Sequence, residues 1–234
     1  MKKIFNTRNL MHFIFITFVA SIVFTIIRIA LAPTVAPISD IAVRVKSDYA
    51  LMLLQCIFGV FAMFVPGLLM HRFRLSIPSG MIVAYALFLY CAIYLGEVRN
   101  FYFIIPHWDT ILHAFSGAAI GALGFSIVSL LNKSETVAFS LSPVFVALFA
   151  FCFAIALGVV WEIYEFSIDY FLKTNMQKYA LESGEQLVGQ AALTDTMKDL
   201  IVDAIGAFAI SVIGYISLKY NKGWLDRLHI KKAA

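Results

Sequence analysis

A chain of 234 residues with 62% hydrophobic residues, 14% charged residues and a mean hydropathy of +0.88 is more apolar than a soluble domain, which carries about 45–50% apolar and about 25% charged residues. That excludes a water-soluble enzyme, an unstructured tail and a nucleic-acid module. The formal charge of +4 needs no acidic partner, because basic residues flanking membrane spans account for it.

A helix needs about 20 apolar residues to cross the hydrocarbon core. Six runs reach that length, at roughly 9–31, 50–70, 77–96, 109–131, 141–169 and 199–219. The expected fold is all-α: a polytopic bundle of six transmembrane helices in one membrane domain spanning 1–234. The first run follows Lys2, Lys3 and Arg8, and Ala30-Leu31-Ala32 mimics a signal-peptide cleavage site. Its length, Arg28 near its end and Pro33 after the imagined cut read instead as a retained helix. Cys56, Cys91 and Cys152 all lie inside apolar runs, which leaves neither a disulfide framework nor a CxxC metal site.

Lysine and arginine in short loops set the orientation. With the N-terminus inside, the inner side collects 11 of the 18 basic residues, including Lys133, Arg227, Lys231 and Lys232, so the expected topology is N-in and C-in. Of the 14 acids only Glu135 and Asp226 fall on that inner side. Acidic chemistry is therefore expected at the outer face. The longest polar stretch, Lys173 to Thr194, is a loop between the last two spans, and no repeat or Pro/Gly linker marks a second domain.

Polar residues interrupt three of the spans. The fourth opens with His107, Trp108, Asp109 and His113; the fifth closes with Glu162, Glu165 and Asp169; the sixth opens with Asp195, Asp199 and Asp203. Spacings of i,i+4, of i,i+3,i+7 and of i,i+4,i+8 put each set on one helix face. Small residues continue those faces inward: Gly117, Gly121 and Gly124, then Ala154 and Gly158, then Gly206, Ala207, Ser211 and Gly214. Such stripes let helices pack closely in lipid, so the three sets are expected to face one another at one depth. Buried acids there are costly, and a shared divalent cation would relieve both burial and repulsion. The expected metal ligands are Asp109, His113, Glu162, Glu165, Asp199 and Asp203, an oxygen and imidazole set that suits Zn²⁺, Mn²⁺ or Fe²⁺. Glu162 or Glu165 would be the catalytic base.

Plainer roles stand beside these. Asp169, Asp195 and Asp199 are also ordinary helix-end charges, with Asp195 a plausible N-cap. Trp108, Trp161, Tyr164 and Tyr170 fit an interfacial aromatic belt. Ser116, one turn past His113, is a candidate nucleophile or simply a small residue.

The motifs Asp109-x3-His113-x3-Gly117, Glu162-x2-Glu165 and Asp195-x3-Asp199-x6-Gly206-Ala207 resemble the YjdF-like family of bacterial inner-membrane proteins, a family of unknown function. The resemblance covers about the last 125 residues and implies a multi-span protein of a bacterial plasma membrane, with no reaction to carry over. The approach to Asp195, through Gly184 and Gly189, is longer than that family's short Gly-rich one.

Three functions fit. The first is a metal-dependent hydrolase whose partner is a membrane lipid or another cell-envelope substrate, although no HExxH or GxSxG motif is present. The second is a cation- or proton-coupled transporter, disfavoured because the inner halves of the spans carry no acid. The third is a non-catalytic assembly or sensor protein with a structural site.

Overall fold

A computed structural model of the chain describes residues 7–34, 44–132, 141–181, 185–225, 228 and 230–232. Lys2, Lys3, Lys133, Glu135, Asp226 and Arg227, used above to orient the chain, lie outside the described residues. In chain order the elements are α1 (Thr7–Leu31), α2 (Lys46–Phe73), a two-residue strand β1 (Leu75–Ser76), α3 (Ser79–Leu89) continued by a π-helical segment (Tyr90–Val98), α4 (Phe101–Ile104), α5 (Trp108–Asn132), α6 (Pro143–Leu172), α7 (Gln190–Lys219) and β2 (Lys231–Lys232). Among the described residues six helices, counting α3 with its π-helical continuation as one, are long and apolar enough to cross a membrane, and the chain is a multi-pass membrane protein.

The largest departure from the sequence reading is at α7, which begins at Gln190 rather than near 199. Ala191, Ala192 and Leu193 are good helix formers, and Gly189 at φ +64° marks the point where the chain turns into the helix. Asp195 therefore sits inside the helix and is no N-cap; its carboxylate lies 3.6 Å from Lys178 Nζ.

The chain divides into two compact units. One comprises 1–64, 86–108 and 161–198; the other comprises 65–85, 109–160 and 199–234. In the first, α1 meets α2 where Phe18 packs on Gly59: a Cβ there would stand 2.9 Å from the Phe18 ring and 2.7 Å from Ile93. Arg28 donates to Tyr49 Oη at 3.0 Å and lies over the same ring. The π-helical segment closes with the Arg99 N–H on the Tyr94 carbonyl, five residues back. Beyond it Asn100 takes the left-handed conformation (φ 65°), which asparagine tolerates better than most residues, and its Oδ1 accepts from Arg44 at 2.7 Å.

Just beyond α6 the chain is tied down by Asp169, near the end of that helix. One Asp169 oxygen accepts from the Thr174 hydroxyl (2.6 Å) and the Met176 N–H (2.7 Å), the other from the Gln177 N–H (2.9 Å). Burial, and then the nearby Asp169 charge, raise the Tyr179 phenol above its ordinary pKa; its hydroxyl bonds the Thr174 carbonyl at 3.0 Å. Asp169→Ala leaves two main-chain N–H groups and one hydroxyl without their acceptor, each worth about 1–3 kcal/mol when buried. The expected result is faster proteolysis within 173–189 than in wild type, measured by limited digestion; equal rates would show that the carboxylate does not organise the loop.

In the second unit α5 and α7 run side by side through small residues. A Cβ at Gly117 would overlap the main-chain carbonyl of Asp203, and one at Gly206 the carbonyl of Ala114. Further along, Gly214 lies against the Phe125 ring, and Gly124 lies against Ala150 of α6. The chain beyond α7 returns to this unit: the buried Ser126 hydroxyl donates to the Leu228 carbonyl (2.9 Å) and accepts from the Ile230 N–H (2.6 Å), and β2 pairs antiparallel with β1.

Candidate metal centre

The close approach of α5 and α7 has a chemical consequence. Asp109 and His113 are one turn apart on α5, Asp199 and Asp203 one turn apart on α7, and the glycines bring their main chains near enough for the side chains to meet. Asp109 lies in the first turn of α5, where the helix dipole favours a carboxylate. His113 Nε2 is 3.7 Å from Asp109 Oδ1 and 3.8 Å from Asp199 Oδ2. On the other edge of the ring, Nδ1 is 3.3 Å from Asp203 Oδ2.

The two edges of the ring differ. Separations of 3.7 and 3.8 Å exceed a hydrogen bond but are close to the spacing that a shared ion imposes. Four ligands at about 2.0–2.2 Å in a tetrahedron stand about 3.3–3.6 Å apart. One ligand atom from each of Asp109, His113 and Asp199 lies within 4.8 Å of the other two. The Nδ1 edge is filled in a different way. Asp203 Oδ1 accepts from the Ser116 hydroxyl at 3.2 Å, and that hydroxyl is also 2.9 Å from the His113 carbonyl. A Cβ on residue 158 of α6 would stand 2.8 Å from Asp203 Oδ2, so Gly158 leaves the space that carboxylate occupies.

His113, Asp199 and Asp203 are all buried, while the Asp109 side chain is 22% exposed against 2% for Asp199. Asp109 is thus the accessible edge of the group. A neutral imidazole carries one N–H, so it can answer the carboxylates on one edge only. The other edge receives a ring N–H only if the imidazole takes a second proton.

Of the residues expected to form the site, the structure brings Asp109, His113, Asp199 and Asp203 together in the second unit. Glu162 and Glu165 belong to the first unit, where both are buried. Glu162 Oε2 there lies 3.5 Å from Gln177 Nε2, which also donates to Thr196 Oγ1 at 2.9 Å. Asp169 serves the loop. The role of Ser116 as a donor to Asp203 was not read from the sequence, although its i+3 spacing from His113 puts the two on one face.

Comparison with known proteins adds a family. Residues 29–220 match the family described as "Predicted membrane protein (DUF2238)", with which the YjdF-like resemblance agrees. An uncharacterised protein of Thermotoga maritima is 34% identical over 122 residues, which are 52% of this chain and 54% of the relative. The chain thus spans about half the length of that curated relative. No solved structure matches it.

Proposed function

The chain belongs to the DUF2238 family of predicted membrane proteins, and from that premise we propose that Asp109, His113 and Asp199 bind a divalent cation, making the protein a metal-dependent hydrolase of a lipid or cell-envelope substrate at the outer face of a bacterial inner membrane. The observation that carries the proposal is the convergence of the three ligand atoms within 4.8 Å of one another inside helices otherwise apolar enough to span a bilayer. Three carboxylates gather about one imidazole within the span, where acidic side chains are costly and mark functional sites. One imidazole with carboxylate oxygens suits Zn²⁺, Mn²⁺ or Fe²⁺. Three protein ligands also leave coordination positions open, as catalytic sites do.

A bound cation would supply Lewis acidity and a hydroxide at neutral pH. Asp109, at the exposed edge, marks the side from which water and substrate arrive. Ser116 is not the nucleophile in this reading, because its hydroxyl is directed to a main-chain carbonyl and to Asp203 rather than to a ring nitrogen.

The proposal is tested by metal content. Full-length protein purified without chelator and equilibrated with Zn²⁺, Mn²⁺ and Fe²⁺ should retain one of them near stoichiometrically. His113→Ala should retain less than about a tenth of that, and equal retention would end the reading. The outer location requires the N-in, C-in topology. A reporter fused after Ala234 should read as cytoplasmic and one inserted after Val188, which is 85% exposed, as external; the reverse at both would move the site to the other face.

A further inference from the structure

Asp203 stands apart from the other three residues of the group. It shares the α7 face with Asp199, and spacing alone makes it an equivalent ligand. Its oxygens meet a different edge of the imidazole: Oδ2 is 3.3 Å from Nδ1, whereas Asp109 and Asp199 face Nε2. The two ring nitrogens direct their lone pairs away from each other, so an oxygen seated against Nδ1 does not share an ion held by Nε2. Asp203 Oδ1 is 3.2 Å from the Ser116 hydroxyl, whose one proton it shares with the His113 carbonyl at 2.9 Å. Gly158 leaves room for the carboxylate where it sits, a Cβ there standing 2.8 Å from Oδ2, and the Asp203 main chain is clasped by Gly117.

We infer that Asp203 is a positioning residue, which holds His113 with its proton on Nδ1 and so presents Nε2 to the cation. The inference rests on the cation reading for its consequence but not for its geometry. A carboxylate that accepts from the remote N–H of a metal-bound histidine fixes the tautomer and the ring orientation, and losing it typically lowers metal affinity about 10–100-fold. Ser116 acts one step further out: its hydroxyl fixes the rotation of the carboxylate, so that Oδ2 rather than Oδ1 meets the ring. Three residues on two helices therefore form a relay, Ser116 to Asp203 to His113, and the aspartate in it touches no ion.

The test is nitrogen NMR of full-length protein in lipid, labelled with ¹⁵N-histidine, the His113 signals being identified among the five histidines by their loss in His113→Gln. With and without Cd²⁺ as probe, Nδ1 should carry a proton, and Cd²⁺ should shift Nε2 alone. Asp203→Asn keeps an acceptor oxygen and should retain both features. Asp203→Ala should lose the Nδ1–H signal and bind Cd²⁺ about 10–100-fold more weakly. Cd²⁺ appearing on Nδ1, or a wild-type ring protonated only on Nε2, would overturn the inference while leaving a metal site. A wild-type Nδ1–H bonded to Asp203 that persists while Cd²⁺ moves neither nitrogen supports the positioning role and removes the cation. Should Asp203→Ala not fold, the wild-type and Asp203→Asn spectra still decide between these outcomes.

Discussion

Gly117→Leu should abolish the folded α5–α7 pair, and Gly206→Leu should do the same, while Gly80→Leu should be nearly silent. The reason is what each new side chain meets. At 117 even a single Cβ would overlap the carbonyl of Asp203, and at 206 the carbonyl of Ala114; at 80 nothing lies within 4 Å. Overpacking a tight interior typically costs about 1–3 kcal/mol when side chains can yield. Here the obstacle is main chain within a helix, so relief requires the helices to separate, and the cost exceeds that range. Separation would also pull Asp109 and His113 from Asp199 and Asp203. Thermal unfolding in detergent, followed with cation retention, measures both effects. Equal melting temperatures for the three variants would mean that the small-residue stripe does not set the site.

Much of this architecture is written plainly in the chain. Six apolar runs give six spans, and the glycine positions on the fourth and sixth runs give the α5–α7 seam, because lipid-embedded helices approach closely only where side chains are small. The i,i+4 spacing of Asp109 with His113 and of Asp199 with Asp203 is enough to put three acids and a histidine on facing stripes. What was not legible depends on contacts distant in sequence or on backbone geometry without a residue signature. The π-helical turn at Tyr90–Val98 has the composition of an ordinary apolar helix. The early start of α7 was hidden because Thr194, Asp195, Thr196 and Lys198 break the apolar run between Ala191 and Leu200. Asp169 read as one more helix-end acid, when its acceptors bind groups five to eight residues ahead. The difference between Asp199 and Asp203 lies in which ring nitrogen each meets, and spacing carries no such information.

Cation loss should follow a common pattern in His113→Ala, Asp109→Ala and Asp199→Ala, and the double variants should be no worse than the singles. Groups that act as a unit are not additive: once one ligand is gone, little affinity is left for the second substitution to remove. Asp199→Ala should be the most severe of the carboxylate variants, because its side chain is almost wholly buried, and Asp109→Ala the mildest, because water reaches that edge. Asp48→Ala, at the exposed start of α2, should leave cation content unchanged. Chelator should lower the wild-type melting temperature toward that of His113→Ala, since a ligand that binds only the folded state stabilises it by mass action. The amide variants separate this from simple charge relief. With a cation present, Asp199→Asn removes a ligand and should lower stability. Without one, the same change removes repulsion among three carboxylates and should raise it. A metal-free wild type that is less stable than Asp199→Asn would therefore exclude the hydrolase. It would leave His113 as a protonated ring between carboxylates on both edges, the arrangement a proton-coupled transporter would use.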